Sequence, residues 1–571
     1  MKLIRSACVL IMTAVLFSAC GSSSSSQGLS DAGEQQSNSR VQGVPSLSSL
    51  QENSYLNGAL YSKNGPFITD RFGRVVTLHG TNAVYKLPPY TLTVKPNQPN
   101  SLANPDAQRM SALGFNLTRV GVIWAGIEPG KGGPNQTQVC TQGAATNPRM
   151  WNQKVANAYL DQVEQVVNEL GRHHIYSLID MHQDVWSSVF GGEGAPAWAT
   201  CTNGLPIPAT VQCKTAPCRW SDAYGEPSEI AAWNNFWDNS VVGGLQQEYQ
   251  KSWAAVAKRF ANNPWVVGYD PINEPSAMNN VVVTPQYDYT ASLSCLYGGR
   301  NTKLVAFNNK TRIPCPIGVP NIGLIQTIQS NDPKHLVMPE VDNAANPNGG
   351  KTLYLATTPT LSGLVYNFHV YCPYRSGVTG NAKNQELCSS KETTSMVNNV
   401  NRRALYASTL QPFGPAIIMS EFGATSNEKL SSLLALDAGS LGLSWAWWSW
   451  RYYSDPTGSS AEALVQADDQ LSPAGTALTQ TYAMAVAGIP VDSQSDPLNG
   501  QFTLVWQTNP DITAPTTIFL DPMTFQYPYC TYVTGGTITS KPGAAMVTVQ
   551  NSSKSELAGI RIVPGKCVKL K

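Results

Sequence analysis

The chain of 571 residues is long enough for one large catalytic domain and a smaller second domain. Its 38 basic and 37 acidic side chains give a net charge of +1, which excludes a general attraction to nucleic acid. Charged residues make up only 13% of the chain, well below their usual share. The surface must therefore rely on uncharged polar side chains, as suits an exported protein that handles neutral ligands.

The N-terminus has the features of a signal peptide at residues 1–19. Lys2 and Arg5 supply positive charge ahead of an apolar stretch that is too short to span a bilayer as a stable anchor. The sequence around Ala19 and Cys20 resembles a bacterial lipobox, with Cys20 as the acylated first residue of the mature protein. Cleavage after Ala19 with Cys20 unmodified is the alternative. Both readings predict an exported protein, either a cell-envelope lipoprotein or a secreted one.

Residues 20–54 are rich in serine, glutamine, glycine and asparagine. They contain too few apolar side chains to offset the entropy that ordering them would cost. We therefore expect a flexible tether between a membrane surface and the catalytic domain.

From residue 55 onward, apolar runs typical of buried strands alternate with helical patterns, which are clearest at residues 157–170 and 249–260. Eight strand–helix units predict a (β/α)8 TIM barrel over residues 55–488, with its active site at the C-terminal ends of the strands. The eight runs lie at residues 75–79, 116–122, 175–181, 265–269, 335–338, 364–368, 416–419 and 443–448.

Residues 489–571 show alternating apolar runs punctuated by glycine and proline, without a helical stretch. This pattern predicts a small all-β sandwich that follows the α/β barrel. We expect it to cap and stabilise the barrel, and binding of carbohydrate or lipid is the alternative role. The predicted strands lie at residues 502–506, 517–520, 545–549 and 559–563.

Ten cysteines remain once Cys8 is removed with the signal peptide and Cys20 is set aside for lipidation. An even number of cysteines in an exported protein predicts disulfides. A zinc site is disfavoured because no paired Cys-x-x-Cys motifs occur. Proximity in the sequence predicts the pairs Cys213–Cys218, Cys295–Cys315, Cys372–Cys388 and Cys530–Cys567, which leaves Cys140 for Cys201.

Two of the predicted strands end in a glutamate. Residues 265–269 lead into Asp-Pro-Ile-Asn-Glu274-Pro, and residues 416–419 lead into Ser-Glu421-Phe-Gly. A glutamate before proline is more often an exposed loop acid than a catalyst, so Glu274 alone is a weak signal. Two carboxylates on the tips of two barrel strands, however, are the minimal apparatus for hydrolysing a glycosidic bond.

Polar side chains recur at the ends of the other predicted strands. Each has an ordinary explanation, since a histidine can be a satisfied core residue, an arginine can pair structurally and tryptophans can fill a barrel. Their recurrence at one end of successive strands favours a sugar-binding site. They occur at residues 79–82, Lys86, Arg119, residues 180–186, His369, Tyr371 and residues 445–450.

Glycoside hydrolysis with retention needs these residue types. One carboxyl acts as nucleophile, and the other acts first as acid and then as base. The acid must stay protonated until it meets the leaving oxygen, so we expect burial or a nearby negative charge to raise its pKa. Arg119 is the natural neighbour to keep the nucleophile ionised. Asn273 could bond the sugar 2-hydroxyl, and Trp448 could form an apolar floor for the ring.

Seven segments together carry a family resemblance: residues 80–86, 112–119, 180–186, 192–196, 273–275, 421–423 and 445–448. With these segments the chain resembles glycoside hydrolase family 5, and within it the endoglycoceramidase branch, whose members release the glycan of glycosphingolipids from ceramide. The likeness spans roughly residues 60–490 and extends to the small β domain. The cysteine-bearing insertion around residues 201–218 departs from the pattern.

The resemblance implies that Glu274 is the acid/base and Glu421 the nucleophile. With Arg119 added, the residues expected to bind substrate are Lys86, Arg119, His182, Asp184, Asn273, His369, Tyr371 and Trp448. We expect no cofactor and no metal, because the six histidines show no metal-ligand spacing and no glycine-rich phosphate loop follows a strand.

The leading hypothesis is an exported, membrane-tethered retaining glycosidase that acts on glycolipids, and we expect it to be a monomer. A second hypothesis keeps the chemistry but replaces the glycolipid with a soluble β-glycan or another non-lipid glycoside. A third is a surface glycan-binding lipoprotein without activity, which the presence of Glu274, Glu421 and their neighbours argues against.

Overall fold

The computed structural model of the chain describes residues 35–40, 58–62, 66–130, 151–207, 220–239, 244–276, 289–301, 315–340, 363–372, 382–403, 414–496, 499–525 and 528–567. The predicted signal peptide and Cys20 lie outside these residues. Among the described helices, none is long and apolar enough to cross a membrane.

Strands make up two structural units, a barrel and a C-terminal β domain. In chain order they are β1 Gln35–Arg40, β2 Val75–Val76, β3 His79–Ala83, β4 Leu117–Val122, β5 Tyr176–Met181, β6 Val266–Asp270, β7 Leu336–Val337, β8 Val365–Val370, β9 Ala416–Gly423, β10 Ser444–Trp448, β11 Tyr482–Val486, β12 Gly488–Asp496, β13 Gln501–Thr508, β14 Thr516–Phe519, β15 Pro528–Thr534, β16 Gly536–Ile538, β17 Met546–Asn551 and β18 Leu557–Pro564.

The strands β3 to β10 form one eight-stranded parallel sheet in which spatial neighbours are also neighbours along the chain. The last strand, β10, pairs in parallel with the first, β3. Single bridges between Val337 and Leu364 and between Glu340 and Asn367 join β7 to β8. The sheet is thereby closed, and the predicted (β/α)8 barrel with a small C-terminal β domain is confirmed.

Helices surround the barrel. In chain order they are α1 Asn104–Ala112, α2 Trp124–Ile127, α3 Gln153–Arg172, α4 Pro227–Asp238, α5 Leu245–Phe260, α6 Tyr289–Gly298, α7 Leu324–Asn331, α8 Ala382–Arg403, α9 Glu428–Ser440 and α10 Pro473–Ala477. Helix α3 begins where the side chain of Asn152 accepts hydrogen bonds from the backbone of Lys154 and Val155. Its buried stripe, which includes Leu160 and Val163, follows the helical period of the sequence.

The C-terminal domain consists of two five-stranded sheets, in the orders β1-β15-β18-β13-β12 and β16-β17-β14-β11-β2. Apolar side chains of both sheets, among them Phe502, Leu504, Ile518 and Ile560, share one buried cluster. The β sandwich expected at the C-terminus is therefore present. It also recruits strands from the N-terminal part of the chain.

Two boundaries differ from the sequence prediction. The apolar residues 75–79 were expected to form the first barrel strand, but β2 pairs with β11 in the C-terminal domain and the first barrel strand is β3. Likewise β11 ends just before Gly488, so the C-terminal domain begins earlier than residue 489. For residues 75–79 hydrophobicity located a strand correctly, but local pattern does not reveal which sheet the strand joins. Strand β11 was not among the predicted strands.

Part of the predicted tether is also paired. Strand β1 runs antiparallel to β15, with Gln35 opposite Val533 and Arg40 opposite Pro528. Its polar sequence offers little apolar surface, so the backbone hydrogen bonds of an exposed sheet edge account for the pairing. The six residues of β1 are therefore ordered against the C-terminal domain, in contrast to the expected flexibility.

The C-terminal domain covers the N-terminal end of the barrel. Leu117, Tyr176 and Ala416, which are the first residues of β4, β5 and β9, share one apolar cluster with Met484 and Phe519 of the C-terminal domain. In barrels of this type the catalytic site lies at the opposite end, where the strands finish. The small domain therefore packs away from the candidate site.

Disulfides join three of the predicted pairs, Cys295–Cys315, Cys372–Cys388 and Cys530–Cys567. Cys201 is also disulfide-bonded. Cys140, Cys213 and Cys218 lie outside the described residues, so the two pairings predicted for them stay predictions.

Candidate active site

The two glutamates singled out in the sequence meet at the C-terminal end of the barrel. Glu421 belongs to the fully buried strand β9, and Glu274 lies in the turn that follows β6. Both face His369 on β8, whose Nδ1 lies 2.8 Å from Glu274 Oε1 and 3.4 Å from Glu421 Oε2. One oxygen of each glutamate and one nitrogen of His369 all lie within 4.8 Å of one another.

Glu421 is held by two donors. Arg119 Nη1 donates to Oε1, and the Tyr371 hydroxyl donates to Oε2 at 2.8 Å. The two donors therefore hold the Glu421 carboxyl in one orientation.

Glu274 is held through its backbone. Its φ of +34° is uncommon for a residue that is not glycine. The Gln183 side-chain amide donates to the Glu274 carbonyl at 2.9 Å, and the Glu274 N–H donates to Glu340 Oε2 at 3.0 Å. An unfavourable backbone conformation persists where its surroundings fix it from several directions, as these contacts do.

His369 and Glu274 share a proton, and His369 is the residue that holds it. Burial lowers the pKa of His369, but the carboxylates of Glu340 and Glu421 and the hydrogen bond to Glu274 outweigh burial and raise that pKa well above its usual value. Burial raises the pKa of Glu274, but the hydrogen bond and charge of His369 bring it below its usual value. The raised pKa expected for Glu274 is therefore not found, because the expectation omitted a cationic His369.

Arg119 lies beneath the two glutamates. Its side chain is 0% exposed, and besides Glu421 it lies 2.8 Å from Asp270 Oδ2, 2.9 Å from Asp180 Oδ1 and 3.0 Å from Glu340 Oε1. Burial and the neighbouring Glu340 raise the pKa of Asp270 well above its usual value. Arg119 therefore acts on the site through Glu421 rather than by touching substrate directly.

Lys86 and Asp184 form a buried pair at the rim of the site. The Lys86 ammonium donates to Asp184 Oδ2 and, at 2.8 Å, to Thr457 Oγ1, and it lies 3.1 Å from Asp455 Oδ2. The same ammonium lies 4.3 Å from the ring centre of Trp448, which is a cation–π distance. Lys86 therefore packs against the ring of Trp448.

Trp448 is the tryptophan of β10 that faces the candidate site. It stacks on His182 with ring centres 5.3 Å apart, and its indole N–H donates to Glu462 Oε2 at 3.1 Å. Trp445 and Trp447 are fully buried in the core. Of the three tryptophans of β10, Trp448 is therefore the one that contacts the predicted substrate-binding residues His182 and Lys86.

His182 and Asn273 offer hydrogen-bonding groups near the glutamates. His182 Nδ1 lies 2.6 Å from Asp180 Oδ2, and its Nε2 has no hydrogen-bond partner among the described residues. Burial and then the charge of Lys86 lower the pKa of His182 to about 3, so Nε2 is an acceptor. Asn273 Oδ1 accepts from Arg119, and its Nδ2 donates to the Gln183 carbonyl at 3.0 Å, which leaves one amide hydrogen for a ligand.

Several buried acids of the site were not chosen from the sequence. Asp180 and Asp270 lie within segments that were noted for other residues, and Glu340 follows strand β7, so the rule of acids at strand ends could have found all three. Glu193, by contrast, approaches the site only through folding. The additional polar residues around the site are Asn82, Asp180, Glu193, Asp270, Glu340, Ser420, Asp455, Thr457 and Glu462.

Three sets of side chains are close enough to be considered as metal sites: His182 with Asp184 and Glu193, Asp270 with Glu340 and His369, and Glu274 with His369 and Glu421. Each set is already contacted by a cation of the chain, namely Lys86 in the first and Arg119 in the other two. A cation of the chain therefore already lies against each set, and we assign no metal to them.

Comparison with family models places most of the chain in two matched regions. Residues 79–454 match a family described as cellulase, glycosyl hydrolase family 5. Residues 480–563 match the C-terminal domain described for glycoside hydrolase family 5. The first match contains all eight barrel strands together with Glu274 and Glu421, and the second begins just before β11.

Similar proteins support the same grouping. Endoglycoceramidase I of Rhodococcus hoagii is 27% identical over 505 residues, which cover 85% of each chain. The structure of endo-glycoceramidase II from Rhodococcus sp. in complex with ganglioside GM3 has a TM-score of 0.63 at 22% identity and covers 87% of this chain and 99% of that one. An endogalactoceramidase structure has a TM-score of 0.54 at 18% identity, over 89% and 100% of the two chains. At these identities the structural matches support the fold.

Proposed function

Because this chain belongs to glycoside hydrolase family 5, we propose that it is a retaining glycosidase that cuts the bond between glycan and ceramide in glycosphingolipids. The observation that carries the chemistry is the approach of Glu274 and Glu421 to within 4.8 Å. Retaining enzymes hold their two carboxyls about 5–5.5 Å apart, whereas inverting enzymes need about 6.5–9.5 Å to admit a water molecule.

In the first step, Glu421 attacks the anomeric carbon while Glu274 gives a proton to the oxygen of the ceramide. A covalent glycosyl–Glu421 ester forms, and ceramide leaves as a neutral alcohol. In the second step, Glu274 takes a proton from water as the water attacks the same carbon. The ester is broken, the glycan is released, Glu421 becomes a carboxylate again and Glu274 is again protonated.

The proton for the first step comes from His369. In the free protein this proton lies on the imidazole, 2.8 Å from Glu274 Oε1. Binding of substrate removes water from the pair, and loss of solvent disfavours a charged pair relative to a neutral one. The proton then passes along the existing hydrogen bond to Glu274, which becomes the acid.

The choice of substrate is supported by similarity over nearly the full length to a protein named endoglycoceramidase I. The family model carries the description cellulase, which favours a soluble β-glycan as the second candidate. Both substrates would use the same two glutamates. The experiment must therefore distinguish the two candidate functions by the leaving group that is released, which is ceramide from a glycolipid and a sugar from a soluble β-glycan.

We also propose that the protein is exported and held at the cell envelope through Cys20. Support comes from the basic and apolar N-terminus and from the lipobox-like residues before Cys20. Such an anchor would bring the enzyme to the surface where glycolipids occur. Incorporation of labelled palmitate by the wild-type chain, lost in Cys20→Ser, is the expected result.

The test is to incubate the protein in detergent with a ganglioside, with a neutral galactosylceramide-based glycolipid and with a soluble β-glucan. We expect intact oligosaccharide and free ceramide from at least one glycolipid. Cleavage of the β-glucan alone would contradict the proposed glycolipid substrate. It would still agree with the proposed roles of Glu274 and Glu421.

Glu421→Gln should lower kcat by at least about a thousandfold, because the variant lacks the nucleophile. Glu392→Gln is the matched control, since Glu392 is a buried glutamate of helix α8 outside the site. Full activity in Glu421→Gln would contradict the assignment of the nucleophile.

A further inference from the structure

Glu340 is a buried acid that the catalytic scheme above does not use. It lies three residues beyond the short strand β7 and is 0% exposed. Burying an ionised carboxylate is costly unless donors and cations compensate for the lost water. The groups that compensate for the burial of the Glu340 carboxyl also hold Glu274 and Glu421 in place.

Three donors meet the two oxygens of Glu340. Oε1 accepts from Arg119 Nη2 at 3.0 Å and lies 3.1 Å from His369 Nε2. Oε2 accepts from the backbone N–H of Glu274 at 3.0 Å. Glu340 thus contacts the main chain of the acid/base residue, the imidazole bonded to its carboxyl, and the cation that holds Glu421.

These contacts fix Glu274 from two directions. The bond to the Glu274 amide holds a backbone with φ of +34°. The ion pair between Glu340 Oε1 and His369 Nε2, at 3.1 Å, acts together with the Ser420 hydroxyl, 3.0 Å from Nε2, to orient an imidazole whose Nδ1 meets Glu274 Oε1. Resting on the proposed function, we propose that Glu340 is a positioning residue, which orients the Glu274 carboxyl and retains the proton shared by Glu274 and His369.

The charges around His369 support this role. Glu274, Glu340 and Glu421 face the imidazole directly, and Ser420 Oγ lies 3.0 Å from Nε2. Farther out lie Arg119 on β4, Asp180 at the end of β5 and Asp270 on β6. Of the groups that raise the pKa of His369, the Glu340 charge is the largest.

A glutamine at this position is a sharp probe. The three contacts described above all bring a donor to the Glu340 oxygens, so a carboxamide in the same place must turn its own NH2 group toward at least one of them. Glu340→Gln therefore keeps the side-chain shape while it loses the charge and at least one hydrogen bond. Removing a negative charge weakens the hold on the shared proton whether that proton lies on His369 or on Glu274.

The experiment compares pH profiles of kcat/KM for the wild-type enzyme, Glu340→Gln and the control Glu392→Gln. On a glycolipid we expect Glu340→Gln to lose about tenfold to a hundredfold, the effect of one or two charge-assisted hydrogen bonds. The alkaline limb should move to lower pH by about one unit or more. Glu392→Gln should keep the wild-type profile.

A second substrate distinguishes a loss of acid catalysis from a general loss of activity. A dinitrophenyl β-glycoside has a leaving group that departs without a proton, so its first chemical step needs little acid catalysis. We expect kcat/KM of Glu340→Gln on this substrate to stay within about threefold of wild type. Equal losses on both substrates with an unmoved alkaline limb would overturn the proposal, as would wild-type behaviour on the glycolipid.

Glu340→Asp serves if the glutamine variant does not fold. It keeps the charge but shortens the side chain, so we expect a lower kcat/KM with the alkaline limb in its wild-type place. An alkaline limb that moves in Glu340→Asp would contradict the role of the charge. If the wild-type enzyme cuts a soluble β-glycan and no glycolipid, the proposed substrate fails, and the same profiles on that glycan still test Glu340.

Discussion

At the scale of single residues, the site is a set of buried acids held by very few cations. Arg119 alone contacts Asp180, Asp270, Glu340 and Glu421. Burial raises the pKa of Asp180 to about 6 although Arg119 opposes it. Arg119 is therefore the cation that these four buried acids share.

Replacing Arg119 with methionine should lower the free energy of unfolding by about 3–5 kcal/mol, because the variant leaves buried carboxylates without their cation. Urea denaturation followed by circular dichroism measures the change. Arg561→Met is the matched control, since Arg561 is exposed and contacts Gln501 at the surface. A similar small loss in both variants would contradict the central role of Arg119.

Particular residues show how much of the candidate site could be predicted from the sequence. Glu274 and Glu421 were found because each ends an apolar run, and His369 and Tyr371 were found by the same rule. Glu340 was missed although it stands two residues beyond the predicted run 335–338, where the same rule applies. The cationic state of His369 depends on acids from three other strands or their ends, and no local pattern predicts such a meeting.

At the scale of elements, the end of β9 shows how tightly the strand carrying Glu421 is packed. Gly423 has a φ of +94°, and a Cβ atom there would lie 2.3 Å from the ring of Trp447 on β10. The glycine therefore lets β9 and β10 approach, two residues beyond Glu421. The sequence shows a glycine here, whereas the contact with Trp447 required the structure.

Gly423→Ala should cost about 1–3 kcal/mol of stability through overpacking, and it should lower kcat because the shift reaches Glu421. Gly442→Ala is the control, because Gly442 also has positive φ but open space around it. The control should lose only about 1–2 kcal/mol and keep kcat. Thermal melting and initial rates measure both. Equal kcat in the two variants would show that the packing of Gly423 does not position Glu421.

At the scale of the whole molecule, the C-terminal domain and the catalytic site occupy opposite ends of the barrel. Phe519 and Met484 of that domain cover the starts of the barrel strands, while Glu274 and Glu421 lie where the strands finish. The barrel could be predicted because eight apolar runs alternate with helical patterns. The pairing of β2 with β11 in the C-terminal domain could not be predicted, because residues 75–79 resemble a barrel strand in sequence.

The measurement that most directly tests the account is the configuration of the sugar at the moment of release. Proton NMR during cleavage of a β-linked glycolipid distinguishes the anomeric hydrogens before the product equilibrates. Two carboxyls as close as Glu274 and Glu421 predict that the β anomer forms first and the α anomer appears later. The α anomer as first product would mean that water attacks directly, and it would contradict Glu421 as the nucleophile.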